Sequence, residues 1–505
     1  MTESRTIQTL KNVFSGLFQK TLSLFLIFIS RKYFIKYIGI EFLGINSLFS
    51  NILSLLSMAD LGFGVAMAYS FYKPISENDE TKITALICFY KKVYSIIAIV
   101  ILLIGLLILP FLNFFINISQ SIPNLKLYYI IFLLQTVVSY LFVYKGTLLN
   151  SHQKSYVVNL IITSVNLIKT IAQIIAIIVL HNYIVFILMQ LFANIIQNIL
   201  ISHKAEQLYP FIKNKELLDN DSIVLIKKNM SSIFLYKISS VFMNSIDSIL
   251  ISKLINTAVL GMYSNYMEIQ NGLFAFLNII FSSVTASVGN LVASESGEKK
   301  YDVFRAMQLI SYYLSLFVIV CMFTTLQDFI AAWVGTEYLL DTKTLVFICL
   351  NFYFSICVMP LWSYREACGI YMKTKYIMSI SAILNLVFSL VFFKYLGLAG
   401  IIAASTVSRC LTYFWYEPKI LYKDIFSKPV RTYFIYFILN AVFAIIFCAA
   451  LSITHSFIFK TISLQYFIVK NLVNFFVVTF FYYLLTFKTR EFKMIKTKIV
   501  FRKRG

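Results

Sequence analysis

The chain has 505 residues, 59% of them hydrophobic and only 13% charged, with a mean hydropathy of +0.81 and a net charge of +22. A soluble chain of this size would carry about 25% charged residues. The composition therefore excludes an ordinary soluble enzyme, and a membrane barrel is excluded because ten-residue alternating segments are absent.

Apolar runs long enough to cross a bilayer recur from end to end. Fourteen spans are predicted, near residues 12–36, 43–72, 84–110, 124–148, 156–180, 183–203, 229–254, 260–292, 304–328, 343–368, 375–395, 399–421, 431–453 and 463–487. The first is expected to stay in the mature protein, because Arg31-Lys32 follows it with no small-residue cleavage pattern. Pro74, Pro110, Pro123, Pro210, Pro418 and Pro429 fall at or just beyond predicted ends, whereas Pro360 falls inside the tenth span, where it is expected to kink the helix.

Most of the 44 Lys and Arg lie beside alternate loops. By the positive-inside rule, both termini are expected in the cytoplasm of a bacterial cell membrane. The basic tail, residues 488–505, then reads as a cytoplasmic anchor near anionic lipid. No aromatic-interleaved soluble module accompanies it, so nucleic acid is not an expected partner. The seven cysteines are scattered through apolar segments without a Cys-x-x-Cys pair, so neither a disulfide framework nor a metal site is expected.

An internal repeat organises the chain. At an offset of 217, Leu43-Gly44-Ile45 meets Leu260-Gly261-Met262, Lys20 meets Lys237 and Lys11-Asn12 meets Lys228-Asn229. Residues 152–156 resemble residues 372–376 at an offset of 220. Six spans separate equivalent positions, so the two halves are expected to insert in the same direction, with a substrate site between them. The expected architecture is all-α: an N-lobe (1–203), a cytoplasmic linker (204–228) and a C-lobe (229–421) around a central cleft. Two extra helices (422–487) and the tail (488–505) follow. For the extra pair, simple packing on the outside and formation of a lipid groove both stand.

Ionisable residues inside membrane helices are costly and usually face a bundle interior or a wet cavity. Lys20 and Lys237 occupy matched repeat positions in spans 1 and 7, and Arg31 lies nearer the far end of span 1. Together they suggest a cationic cleft suited to phosphate, Arg by a two-pronged contact and Lys as a point charge. Asp60, Asp247 and Glu268 are candidates for tuning that charge or coupling an ion. Against this stand snorkelling of Arg31, Lys20 and Lys237 to headgroups and a helix-packing role for the acids. Lys145 and Lys169 are second-rank, and Arg365, Glu366 and Arg409 read as structural. Tyr33, Tyr263 and Tyr266 are candidates for stacking on sugars, beside the ordinary reading of aromatic belts. No Walker loop, zinc-protease motif or nucleophile elbow occurs, so neither an enzyme nor a bound cofactor is expected.

The stretch from Ser30 to Pro74 also carries a resemblance. Ser30-Arg31, Tyr37-Ile38-Gly39, Glu41-Phe42-Leu43-Gly44-Ile45-Asn46, Leu53-Ser54-Leu55-Leu56-Ser57, Asp60-Leu61-Gly62-Phe63-Gly64 and Tyr72-Lys73-Pro74 resemble the start of the Wzx-type polysaccharide-repeat-unit flippases. These form the polysaccharide-transporter branch of the multidrug/oligosaccharidyl-lipid/polysaccharide exporter superfamily. The resemblance implies translocation of undecaprenyl-pyrophosphate-linked oligosaccharide to the outer leaflet by alternating access, for capsule, O-antigen or similar surface polysaccharide. It further implies contact with the polysaccharide polymerase and glycosyltransferases. A lipid II flippase or a multidrug exporter of the same superfamily is the alternative, then a membrane-bound polymerase, for which no large extracytoplasmic loop is available, and then a non-transporting scaffold.

Overall fold

A computed structural model describes residues 5–57, 63–118, 122–459, 461 and 463–501. Among these residues the chain is helical throughout, with no strand. That is the expected solution for a chain in lipid, where each backbone N–H and C=O must be satisfied within its own segment. Nine helices are long and apolar enough to cross a membrane, and one bent pair makes a tenth by the same measure. The chain is a multi-pass membrane protein.

The helices fall into two compact units, residues 1–264 and 265–505, with the boundary inside one long helix. The first unit begins with α1 (Arg5–Tyr37), α2 (Ile40–Leu56), α3 (Phe63–Glu77) and α4 (Glu80–Ile108). It continues through α5 (Leu112–Phe115), α6 (Leu125–Leu141), α7 (Val143–Ser151), α8 (Ser155–Leu180), α9 (Tyr183–Leu208), α10 (Asn220–Leu254) and the start of α11 (Thr257–Ser294). Here α1 packs along α8, α4 against α6, α6 against α9, and α10 against α2.

The second unit takes the rest of α11 with α12 (Gly297–Trp333), α13 (Thr342–Cys357), α14 (Met359–Cys368), α15 (Tyr371–Leu396) and α16 (Leu398–Leu411). It closes with α17 (Tyr413–Leu421), α18 (Arg431–Ile458), α19 (Leu464–Thr486) and α20 (Arg490–Phe501). Its centre is α12, which packs against α13, α18, α19 and α20, while α15 lies along α16.

These helices coincide with the fourteen predicted segments, but several segments are broken. The fourth bends by 43° at Phe142 between α6 and α7, and the twelfth breaks at Thr412; the second holds α2 and α3, with residues 58–62 outside the described residues. The tenth breaks at Val358, and Pro360 sits in the first turn of α14. A proline there costs little, because the N–H it lacks would have no helical partner. Pro74 instead lies inside α3, which runs past the predicted end at residue 72, and Pro418 lies inside α17, which ends at Leu421 as predicted. The stretch expected as a linker is largely helical. Helix α9 runs to Leu208 and α10 starts at Asn220, where the Asp219 carboxylate accepts from the Ser222 N–H at 2.8 Å. The basic tail contains α20, held on α12 by Arg305–Glu491 at 3.0 Å and Arg490–Asp302 at 2.6 Å.

Candidate functional site

The crossing of α2 with the first turns of α11 positions the candidate site in the first unit. A Cβ on Gly44 would lie 1.9 Å from the Thr257 carbonyl oxygen, and one on Gly261 would lie 2.3 Å from the Ile40 carbonyl oxygen. The two helices therefore touch backbone to backbone, which only glycine permits. The contact is reciprocal. Residues 44 and 261 are 217 apart, and so are residues 40 and 257, so each half of the crossing is the repeat image of the other. Neighbouring bonds hold the crossing in place. The Thr257 N–H and hydroxyl both donate to the Asn117 carbonyl at 2.9 and 3.0 Å, and the Asn117 amide donates to the Ile255 carbonyl at 2.7 Å. Within α2, Asn46 Oδ1 accepts from the Tyr183 hydroxyl at 2.5 Å.

Arg31 enters this region from α1. Its Nη1 donates to the Ser264 hydroxyl at 3.1 Å, and that hydroxyl donates in turn to the Gly261 carbonyl at 2.8 Å. The guanidinium is thus tied to the crossing. Asp247 is buried on α10, followed by buried Ser248 and Ser252. Ser239, Ser245, Ser248 and Ser252 of α10 and Thr257 and Ser264 of α11 are small and buried, which lets the helices approach closely in an apolar surround.

The other candidates are dispersed. Lys20 is exposed in the middle of α1. Lys237 lies on α10, but its side chain, like all of Asp60, falls outside the described residues. Glu268 is half-buried on α11 in the second unit. Lys169 is half-buried on α8. Lys145 binds Glu206 and the Ser202 hydroxyl, a structural role at the ends of α7 and α9. Arg365 pairs with Glu417 at 2.7 Å, both buried, and Arg409 donates to the Ser355 hydroxyl at 2.8 Å and the Asn351 carbonyl at 3.3 Å. Tyr266 is also structural: its hydroxyl donates to Gln327 Oε1 at 2.6 Å and accepts from the Leu340 N–H at 3.0 Å. Tyr263 is buried, and Tyr33 is exposed and stacks on Tyr37.

Two features escape the sequence reading. Ser264 shows no signal beyond its place three residues after Gly261. Lys470 and Asp328, by contrast, are charged residues inside predicted spans, and Lys470 and Asn474 share one helix face. Their pairing is visible only once α19 is laid against α12.

No sequence-family model and no curated protein matches the chain. Among solved structures it is similar to the lipid II flippase MurJ in an inward closed conformation, with a TM-score of 0.67 and 14% identity over 94% of this chain and 98% of that one. It is also similar to an inward-facing multidrug resistance MATE family transporter of the MOP superfamily, with a TM-score of 0.62 and 12% identity over 79% of this chain and 94% of that one. The outward-facing conformation of such a transporter gives a TM-score of 0.54 and 12% identity over 83% of this chain and 99% of that one. The chain has the fold of these membrane transporters.

Proposed function

We propose that the chain is a flippase that carries an undecaprenyl-pyrophosphate-linked oligosaccharide repeat unit from the cytoplasmic to the outer leaflet for surface polysaccharide synthesis. One observation carries the choice of a lipid-linked cargo: the similarity to a lipid II flippase runs over 94% of the chain, whereas the multidrug transporters cover 79% and 83%. The polysaccharide branch is favoured by the sequence from Ser30 to Pro74. In this reading the two repeat-related lobes, 1–203 and 229–421, alternate their access to a cleft that takes the pyrophosphate. Lys20 and Lys237 supply point charges, Arg31 a two-pronged donor, and Asp60, Asp247 and Glu268 set the charge balance or couple an ion.

Electrostatics support the anionic cargo. The candidate helices carry more cations than acids, and a low-dielectric surround strengthens their attraction to phosphate. The same excess disfavours a cationic drug as cargo.

The test is exposure of a labelled undecaprenyl-pyrophosphate-oligosaccharide at the far leaflet of proteoliposomes, followed for the wild type, Lys20→Ala and Arg31→Ala. Exposure well above empty vesicles and reduced in both variants is expected. Exposure no faster than in empty vesicles would sink the assignment. Rescue of a lipid II flippase deletion by this chain would instead favour lipid II as cargo.

A further inference from the structure

The last two membrane helices meet α12 through polar side chains. On their outer faces Ile438, Leu439, Ile445, Leu472 and Phe476 are exposed, as lipid requires. On the inner face Asn440 donates to the Ser315 and Tyr353 hydroxyls at 3.0 and 2.9 Å, and Asn474 donates to the Thr324 hydroxyl at 2.9 Å. Near the ends of α18 and α12 the seam becomes ionic. Lys470 Nζ of α19 donates to Asp328 Oδ2 of α12 at 2.6 Å, with side chains 9% and 19% exposed.

His455, in the last turn of α18, completes the cluster. It is 3% exposed, and neither ring nitrogen has a hydrogen-bond partner. The charges that bear on it are those of Lys470 and Asp328. Its ring lies 5.7 Å from that of Phe459, and Lys470 Nζ lies 5.5 Å from the same ring. Within seven residues of these three, the other titratable groups on their helices are Cys321 on α12, Cys448 on α18 and Tyr466 on α19; Lys460, in the connecting segment, lies outside the described residues.

A buried polar group without a partner is costly, and one that persists in a membrane helix calls for a use. Here the chemistry narrows that use. An ammonium in the cluster repels a metal cation, and the Asp328 carboxylate already neutralises Lys470 and so repels an anion. A proton fits. It would come from hydronium: one O–H bond breaks, one N–H bond forms at an imidazole nitrogen, a water is left behind, and no oxidation state changes. The site would then hold two cations around one carboxylate in a dry surround, where their repulsion is strong.

We propose that His455, Lys470 and Asp328 form a proton-binding site whose occupation loosens the α18–α19 pair from α12. The imidazolium then adds a second cation to the field of the Lys470–Asp328 pair, and the Lys470 link between α19 and α12 weakens. The proton enters from the membrane face at which α18 ends. This inference does not depend on the cargo.

The test uses the full chain in lipid nanodiscs, without cargo. Amide hydrogen exchange across residues 450–475 is compared at about pH 8 and about pH 5.5, which brackets imidazole titration. After correction for the intrinsic pH dependence of exchange, the wild type is expected to exchange about tenfold faster there at the lower pH, a local opening. His455→Gln should show no such rise while its α1–α9 exchange matches the wild type. A wild type without the rise, or a variant that keeps it, overturns the proposal. Should the variant fail to fold, the wild type alone decides through imidazole nitrogen-15 shifts. The buried histidine must titrate in step with the exchange, and absence of titration between about pH 5 and about pH 8 overturns the proposal.

Discussion

The reciprocal crossing of Gly44 and Gly261 makes a quantitative prediction. In Gly44→Ala the new methyl carbon would start 1.9 Å from the Thr257 carbonyl oxygen, and in Gly261→Ala 2.3 Å from that of Ile40. Carbon and carbonyl oxygen tolerate about 3.3 Å, so the helices must part by roughly 1 to 1.4 Å. The obstacle is backbone in both cases, so no side chain can swing away. Overpacking of this kind costs about 1–3 kcal/mol, partly offset by the better helix propensity of alanine at about 1 kcal/mol. The two sites share one interface, so their costs should not add. Once the first alanine has separated the helices, the second finds room, and Gly44→Ala/Gly261→Ala should cost little more than the worse single variant. Gly289→Ala, which meets nothing within 4 Å, should be neutral or slightly stabilising. The assay is unfolding of the full chain in mixed micelles by SDS titration, read as a double-mutant cycle. A Gly44→Ala variant as stable as Gly289→Ala, or a double variant equal to the sum of the singles, would refute the reciprocal contact.

Other outcomes follow from single bonds. Arg31→Lys keeps the charge but shortens the reach to Ser264 (3.1 Å in the native chain), so it should lose about 1–2 kcal/mol of stability, as Arg31→Ala does, in the same titration. Equal stability of Arg31→Lys and the wild type would show that the bond contributes nothing. Breaking the buried Arg365–Glu417 pair with Arg365→Met should cost about 3–5 kcal/mol, while Arg365→Met/Glu417→Leu should recover most of it, because the lone buried carboxylate is the expensive species. Failure of the double variant to recover would mean that packing, not charge, dominates.

His152 offers a second pH test, in the first unit. It bonds the Leu148 carbonyl through Nδ1 at 3.0 Å, its ring lies 4.2 Å from that of Tyr209, and burial lowers its pKa from the usual 6.5. The unfolded chain therefore binds the proton more readily. The contribution of His152 is complete above pH 6.5 and falls as pH drops from that value toward the lowered native one. Local exchange at residues 148–156 should accelerate on acidification and stay flat in His152→Gln; acceleration in both would assign the effect elsewhere.

The helical, membrane-spanning character of the chain was legible in sequence because lipid leaves the backbone few options, and long apolar runs announce the outcome directly. The sequence also pointed to a repeat. Leu43-Gly44-Ile45 and Leu260-Gly261-Met262 share an offset, and the same glycines turn out to press on each other. Their mutual contact could not be read from the offset, since a repeat fixes equivalence and not proximity. The helix breaks at Phe142 and Thr412 were hidden because hydropathy averages over a window and is blind to local dihedral angles.

The candidate charges divide along the same line. Sequence identified Arg31 and Asp247 as costly residues in lipid, and only the fold ties Arg31 to Ser264 and buries Asp247 beside α10's serines. Lys145, Arg365 and Arg409 carry the same formal charge as Arg31, yet the fold commits them to Glu206, Glu417 and Ser355. Lys470, Asp328 and His455 lie 127 to 142 residues apart or within one hairpin, and no periodicity links them. A charge in a membrane helix is visible one residue at a time, because its cost is a property of the side chain and the lipid. Its partner depends on which faces of distant helices meet, and that is decided by packing alone.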